Sequence, residues 1–208
     1  MNTRSLLLAG ASALLLTPVA ALADKPFQLA LLPPETQIVA EDESIHGVRL
    51  DFVYGRNKDM RGFDLGMVNE TTGEFHGLGL GLANLTEGAM TGVQWSIAGY
   101  AETGGDASGW TFSLAHHSVG NFEGFEQGLV GYVEKDFHGL QGNVLWNQTD
   151  GKASGLQLGL VNKAGEVHGI QLGLVNLTER MNGLQIGLWN QISAKEHLSV
   201  LPIVNWKF

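Results

Sequence analysis

Short stretches of alternating apolar and polar residues recur along this chain, and each opens on a glycine. These glycines stand at 47, 62, 77, 92, 109, 124, 139, 155, 169 and 183, spaced 14 to 17 residues apart. The clearest copies read Gly155-Leu-Gln-Leu-Gly-Leu-Val-Asn162, Gly169-Ile-Gln-Leu-Gly-Leu-Val-Asn176 and Gly183-Leu-Gln-Ile-Gly-Leu-Trp-Asn190. With the opening glycine as zero, positions +1, +3 and +5 are apolar, from Val48, Leu50 and Phe52 to Leu184, Ile186 and Leu188. Of these thirty slots only Gln127 and Gly142 depart. Positions 0, +2 and +4 carry Gly, Gln and Ser, with the charges Arg49, Asp51, Asp64 and Glu126 among them. A period of two is that of a β-strand with one greasy and one wet face. A unit this short holds one strand and one turn, so neighbouring copies must supply the core.

The segments between strands read as turns: Asn69-Glu-Thr-Thr-Gly73, Asn84-Leu-Thr-Glu-Gly88, Asn147-Gln-Thr-Asp-Gly151, Lys163-Ala-Gly165. Asn hydrogen-bonds its own backbone and tolerates left-handed geometry, and Gly supplies positive φ. This turn role also accounts for Asn69, Asn84, Asn147 and Asn176, which are formally glycosylation acceptors. Phe27 to Leu32, the ten repeats and Ser199 to Phe208 make about twelve short strands, an all-β fold.

Two architectures bury such strands. In an antiparallel outer-membrane β-barrel, the apolar face meets lipid and the polar face lines a lumen. In a parallel β-solenoid, each repeat is one coil with the apolar face inward and Gln and Asn stacked in ladders. An even strand count favours the barrel. So does a two-repeat period: His46, His76, Ser108, His138 and His168 precede alternate opening glycines, and His197 holds the like place in the last strand. Arg61, Thr91, Glu123, Ser154 and Asn182 precede the others. Up-strands and down-strands would differ in this way. Against the barrel, the apolar slots cover only about 16 Å of height at ~3.4 Å per residue and ~40° of tilt, where an outward band is ~25 Å tall.

Residues 1–23, MNTRSLLLAGASALLLTPVAALA, read as a signal peptide: Arg4, the apolar run Leu6 to Leu16, and Ala21-Leu22-Ala23 as a cleavage site. Residues 24–44 then form an N-terminal strand and connecting loop, and 45–208 the repeat β domain. Loss of the leader removes Arg4 and no acid, so the net charge of −9 becomes −10. With 12 basic residues against 21 acidic ones, nucleic acid is not an expected partner. The absence of cysteine excludes disulfides, thiolate metal sites and a cysteine nucleophile.

Candidate chemistry is sparse. The recurrent histidines fall on alternate repeats, roughly 10 Å apart, too far to share one zinc ion. His116 and His117 point to opposite faces if extended. Asp51 and Asp64 share a slot type in adjoining repeats, but Arg49 is near enough to neutralise them. Gly77-Leu-Gly-Leu-Gly81 belongs to the repeat and opens no helix, so it is not a dinucleotide motif. No catalytic residue, metal or cofactor is assigned. In the copies at 91–122, Ser96 and Ser113 replace the second glycine, and Gly99 and His116 replace the terminal Asn. A ladder through these positions would break there.

The Gly-Φ-Gln-Φ-Gly-Φ-Val-Asn unit (Φ apolar), behind a leader and ending Val204-Asn-Trp-Lys-Phe208, resembles the surface-repeat proteins of Gram-negative bacteria from about Ile45 onward. The alternating Val204, Trp206 and Phe208 resemble the C-terminal assembly signal of outer-membrane barrels. The resemblance implies an outer-membrane or cell-surface location after export, with membrane lipid and the barrel-assembly machinery as partners. It implies no catalytic residues.

The leading expectation is a non-enzymatic outer-membrane barrel, at most a narrow passive, porin-like pore with a mild preference for cations. Arg49, Asp51, Asp64, Gln94, Glu126, Gln141, Gln157, Gln171 and Gln185 would line its lumen. The alternative is a surface or periplasmic β-solenoid that acts as a binding protein and shows this same polar face to a partner.

Overall fold

The computed structural model describes residues 25–208, and the signal peptide expected at 1–23 lies outside them. Eleven strands follow in chain order: β1 (Lys25–Ala30), β2 (Ile45–Asn57), β3 (Met60–Thr71), β4 (Phe75–Thr86), β5 (Met90–Thr103), β6 (Ala107–Ser118), β7 (Phe122–Val133), β8 (Phe137–Leu158), β9 (Val161–Leu172), β10 (Val175–Ile192) and β11 (Val200–Lys207). Each pairs with its neighbours in sequence, and all lie in one sheet. Every pairing from β1 to β10 is parallel; β10 and β11 alone run antiparallel.

This pairing overturns the antiparallel barrel. Tight turns cannot join parallel strands, which need a return path of a dozen or more residues. Here the return path is the second side of the coil, so the chain rises one rung per repeat as a β-solenoid. The opening glycines sit opposite one another from Gly47↔Gly62 to Gly169↔Gly183. The alternating histidines therefore share one column with the residues between them, His46↔Arg61↔His76. They do not mark up-strands and down-strands.

The glycine at zero is required by its backbone. All ten have φ between 122° and 156°, a region essentially closed to other residues. A Cβ on any of the nine from Gly62 onward would fall on the carbonyl oxygen of the glycine one coil below. The second glycine, at +4, makes room instead: a Cβ on Gly173 would run into Gly159 O and Asn162 Nδ2.

Both ends of the coil are closed. Residues 31–44 fold over the first coil. Val39 enters the core there, and its N–H and carbonyl pair with the Gln28 amide at 2.9 and 3.1 Å. At the other end β11 reverses direction, which ends the run of parallel rungs and covers the edge.

Candidate functional site

The positions expected to line a lumen, or to face a partner, lie inside the coil. Arg49, Asp51, Asp64, Gln94, Glu126, Gln141, Gln157, Gln171 and Gln185 are all buried. The register stacks eight of them into one internal column at +2, from Arg49↔Asp64 to Gln171↔Gln185, with Asp51 at +4. A channel would run where these side chains bond one another. Gln157 Nε2 donates to Gln141 Oε1 at 2.7 Å, Gln171 to Gln157 at 2.7 Å, and Gln185 to Gln171 at 2.8 Å. Identical amides stacked one rung apart each find an acceptor in the next copy, so the column stays satisfied away from water.

The asparagines expected in turns also sit in the interior. Asn147, Asn162 and Asn176 each donate to the next Asn at 2.7–2.8 Å. Each also donates to a main-chain carbonyl at 2.9 Å: Leu158, Leu172 and Ile186 respectively. The ladder begins with Asn69 donating to Asn84 at 2.9 Å. It breaks at Ala101, His116 and Gly131, within and just beyond the drifting copies, then resumes at Asn147.

Two charged clusters interrupt the amide columns. Arg49 grips Asp64 with Nε and Nη2 at 2.8 and 2.7 Å, donates Nη1 to the Glu70 carbonyl at 2.8 Å, and lies 3.2 Å from Asp51. Burial pushes the Asp51 carboxyl up to about 7; Arg49 opposes the shift and Asp64 adds to it. Further along, the Glu126 carboxylate accepts from Asn143 at 2.7 Å and Gln141 at 3.1 Å, with His116 Nδ1 3.5 Å away. As expected, His116 faces inward and His117 outward.

An apolar column that the strand pattern overlooked completes the interior. The residue two before each opening glycine is Ile45, Met60, Phe75, Met90, Ala107, Phe122, Phe137, Ala153, Val167 or Met181, and all are buried. Phe122 stacks on Phe137 with ring centres 5.6 Å apart. The slot is apolar in every copy, so its signal stands in the sequence two residues before the glycine, on the side away from the alternating +1, +3 and +5 positions.

The greasy face therefore points outward. The +1, +3 and +5 side chains of the ten repeats form three parallel columns on one side of the coil, with Phe52, Ile97 and Leu188 66%, 63% and 70% exposed. Phe27 and Leu29 add a row at the start, beside Val48 and Leu50, and Trp206 and Val204 add another at the end, beside Leu184 and Ile186. Phe208, the remaining residue of the expected assembly signal, is 88% exposed at the chain end. Twelve rows at ~4.8 Å and three columns across four residues make a sheet of roughly 50 by 15 Å, or about 700 Å2. Most monomeric proteins expose no apolar patch larger than ~300–600 Å2.

The face has relief. Trp95, Trp110, Phe112 and Phe125 raise a ridge across three adjoining rows, with Trp95 and Trp110 edge to face at 5.0 Å. Gly142 lacks a side chain in the next row. From there a shallow groove of about 680 Å3 runs toward β11, floored by Leu158, Leu172 and Ile186 and walled by Leu160, Leu174 and Leu188. Trp110 Nε1 donates to Gln127 Oε1 at 3.1 Å, so the one polar side chain in these columns is tied down by a neighbour on the same face. The β-solenoid expected as the alternative, with its Gln and Asn ladders, is thus the fold, but its facing is reversed: amide columns and one apolar column fill the core, and the flat outer surface is hydrocarbon. Comparison of the chain with protein-family models, curated proteins and solved structures found no match.

Proposed function

We propose that the protein is an exported, non-enzymatic β-solenoid of the cell envelope that works by contact, with the apolar sheet as its binding surface. One observation carries this reading: in thirty repeat slots the outward columns hold no charge and a single amide, and that amide is already hydrogen-bonded. Keeping about 700 Å2 of such surface in water is unfavourable at ~25 cal/mol per Å2, so a covering partner is favoured. The leader-like segment at 1–23 supports export. Its polar residues are consumed in holding the coil together and support no catalytic role.

The natural absence of cysteine permits a direct test. An environment-sensitive fluorophore is attached at Ile97→Cys on the face, and at Glu123→Cys beside it as a control. The face label is expected to emit as in an apolar medium under native conditions, and the control as in water. Water-like emission at both sites would show a bare face and defeat the proposal.

A further inference from the structure

We infer that the occupant of the apolar face is a second copy of the same chain, docked face to face and running the opposite way. This rests on the contact reading above and names its partner. Three observations select a copy of this chain over a lipid surface or an unrelated protein.

The first is area. The antiparallel pairing overlaps ten of the twelve rows, about 600 Å2 per copy and about 1,200 Å2 for a pair, at the lower end of the ~1,200–2,000 Å2 of stable specific interfaces. The second is relief. The ridge occupies the rows opened by Gly92, Gly109 and Gly124, and the groove the rows from Gly139 onward, so the two lie side by side along one face. A two-fold axis parallel to the strands, set between the Gly124 and Gly139 rows, reverses the order of rows and leaves each column facing its like. The Phe112 row then meets the Leu158 row, and the Trp95 row meets the Leu172 row. The +3 part of each ridge, Trp95 and Phe112, thus meets the other copy's groove, while Trp110 and Phe125 at +1 meet Leu156 and Leu140 beside it, the self-complementarity a two-fold interface requires. The same axis sets Gln127 opposite Gly142, so the one amide meets the one slot without a side chain.

The third is charge. Interfacial membrane binders border their apolar face with Lys and Arg. Here the bordering column at −1 reads His46, Arg61, His76, Thr91, Ser108, Glu123, His138, Ser154, His168 and Asn182, and the chain carries −9 overall. That border does not attract anionic headgroups, and it leaves the uncharged face free to meet itself.

The test uses protein purified from the full-length chain, weighed by sedimentation equilibrium. Phe112→Glu, on the ridge, and Leu158→Glu, in the groove, are compared with Glu123→Gln at the border. Circular dichroism checks that each variant keeps its fold. The parent and Glu123→Gln are expected to be dimers, whereas either glutamate is expected to weaken association on the order of 100-fold or more by burying an unpaired charge. Spin labels at Lys58→Cys and at Glu134→Cys then read the direction. In the antiparallel pair the two Lys58 labels lie about 50 Å apart along the coil axis, eleven rungs at ~4.8 Å, and the two Glu134 labels lie about one rung apart along it.

A parent that is monomeric at tens of micromolar, a dimer indifferent to both glutamates, or equal distances at the two label sites overturns the inference. So does a monomer that floats with phosphatidylcholine vesicles, which would assign the face to lipid. In either monomer case an apolar signal from the Ile97 label still upholds the contact reading, whereas water-like emission there removes both.

Discussion

The last four repeats and the first six solve one problem in different ways. From Gly139 to Gly183 the interior is a translation lattice: glutamine above glutamine and asparagine above asparagine, with Gln157, Gln171, Gln185, Asn147, Asn162 and Asn176 each donating to its like in the neighbouring copy at 2.7–2.8 Å. Toward the N-terminus the same columns hold Arg49, Asp51, Asp64, Thr111, Ser113 and Glu126. Among the described residues, the hydroxyls of Thr111, Ser113 and Ser118 have no protein hydrogen-bond partner. A repeated amide satisfies itself because it carries both donor and acceptor. A lone charge has to be matched by a specific residue elsewhere. The comparison teaches that stability is cooperative along the C-terminal columns and rests on a few irreplaceable pairs in the N-terminal ones.

The largest break is expected at Arg49. Arg49→Met leaves two carboxylates buried without their guanidinium, which should cost about 3–5 kcal/mol in denaturant unfolding. A lesser but still large effect separates two glycines of the regular half. Gly173→Ala drives a methyl into backbone and the asparagine ladder, for about 3 kcal/mol. Gly142→Ala meets only the flexible tip of Leu140 at 3.0 Å and should lie within about 1 kcal/mol of the parent.

Next in size, Asn162→Ala removes the middle of the asparagine ladder and strands the Asn147 amide, with a loss of about 1–3 kcal/mol in thermal or denaturant unfolding. The most localised effect is a pH dependence confined to the charged half. The folded chain holds the Asp51 proton more tightly than the unfolded one. Its contribution is therefore fully present below about pH 4 and is lost as pH rises through about 7. Asp51→Asn should flatten the stability profile across that window, while Asn162→Ala should leave its slope unchanged.

Much of this architecture was legible in the residues. The 14–17-residue unit and the two-faced strand follow from spacing and alternation; of the ladder break expected at 91–122, His116 stands in the column, but a register shift puts Ala101 where Gly99 was expected and the break runs on to Gly131. Pairing direction did not, because a strand in a meander and a strand in a coil carry the same period of two. The even segment count and the alternating histidines pointed to the barrel, yet the parallel register brings every repeat into one environment. The binding face was legible as a set of positions; the barrel expectation set it outward, as it stands, and the solenoid expectation set it inward. Gln141, Gln157 and Gln171 look like surface when considered singly, since one buried amide is costly. In a column each is completed by the next, and that cost is offset only once the rungs are in register.

By itself, then, the sequence determined that there would be columns: which residues share a face, how long a rung is, and where the glycines must stand for two backbones to approach. Only the tertiary structure decided which face closes on itself. That choice turns on hydrogen bonds between residues 14 to 17 positions apart, which exist only when successive coils lie in register, and it is these bonds that place the amides inside and leave the leucines facing out.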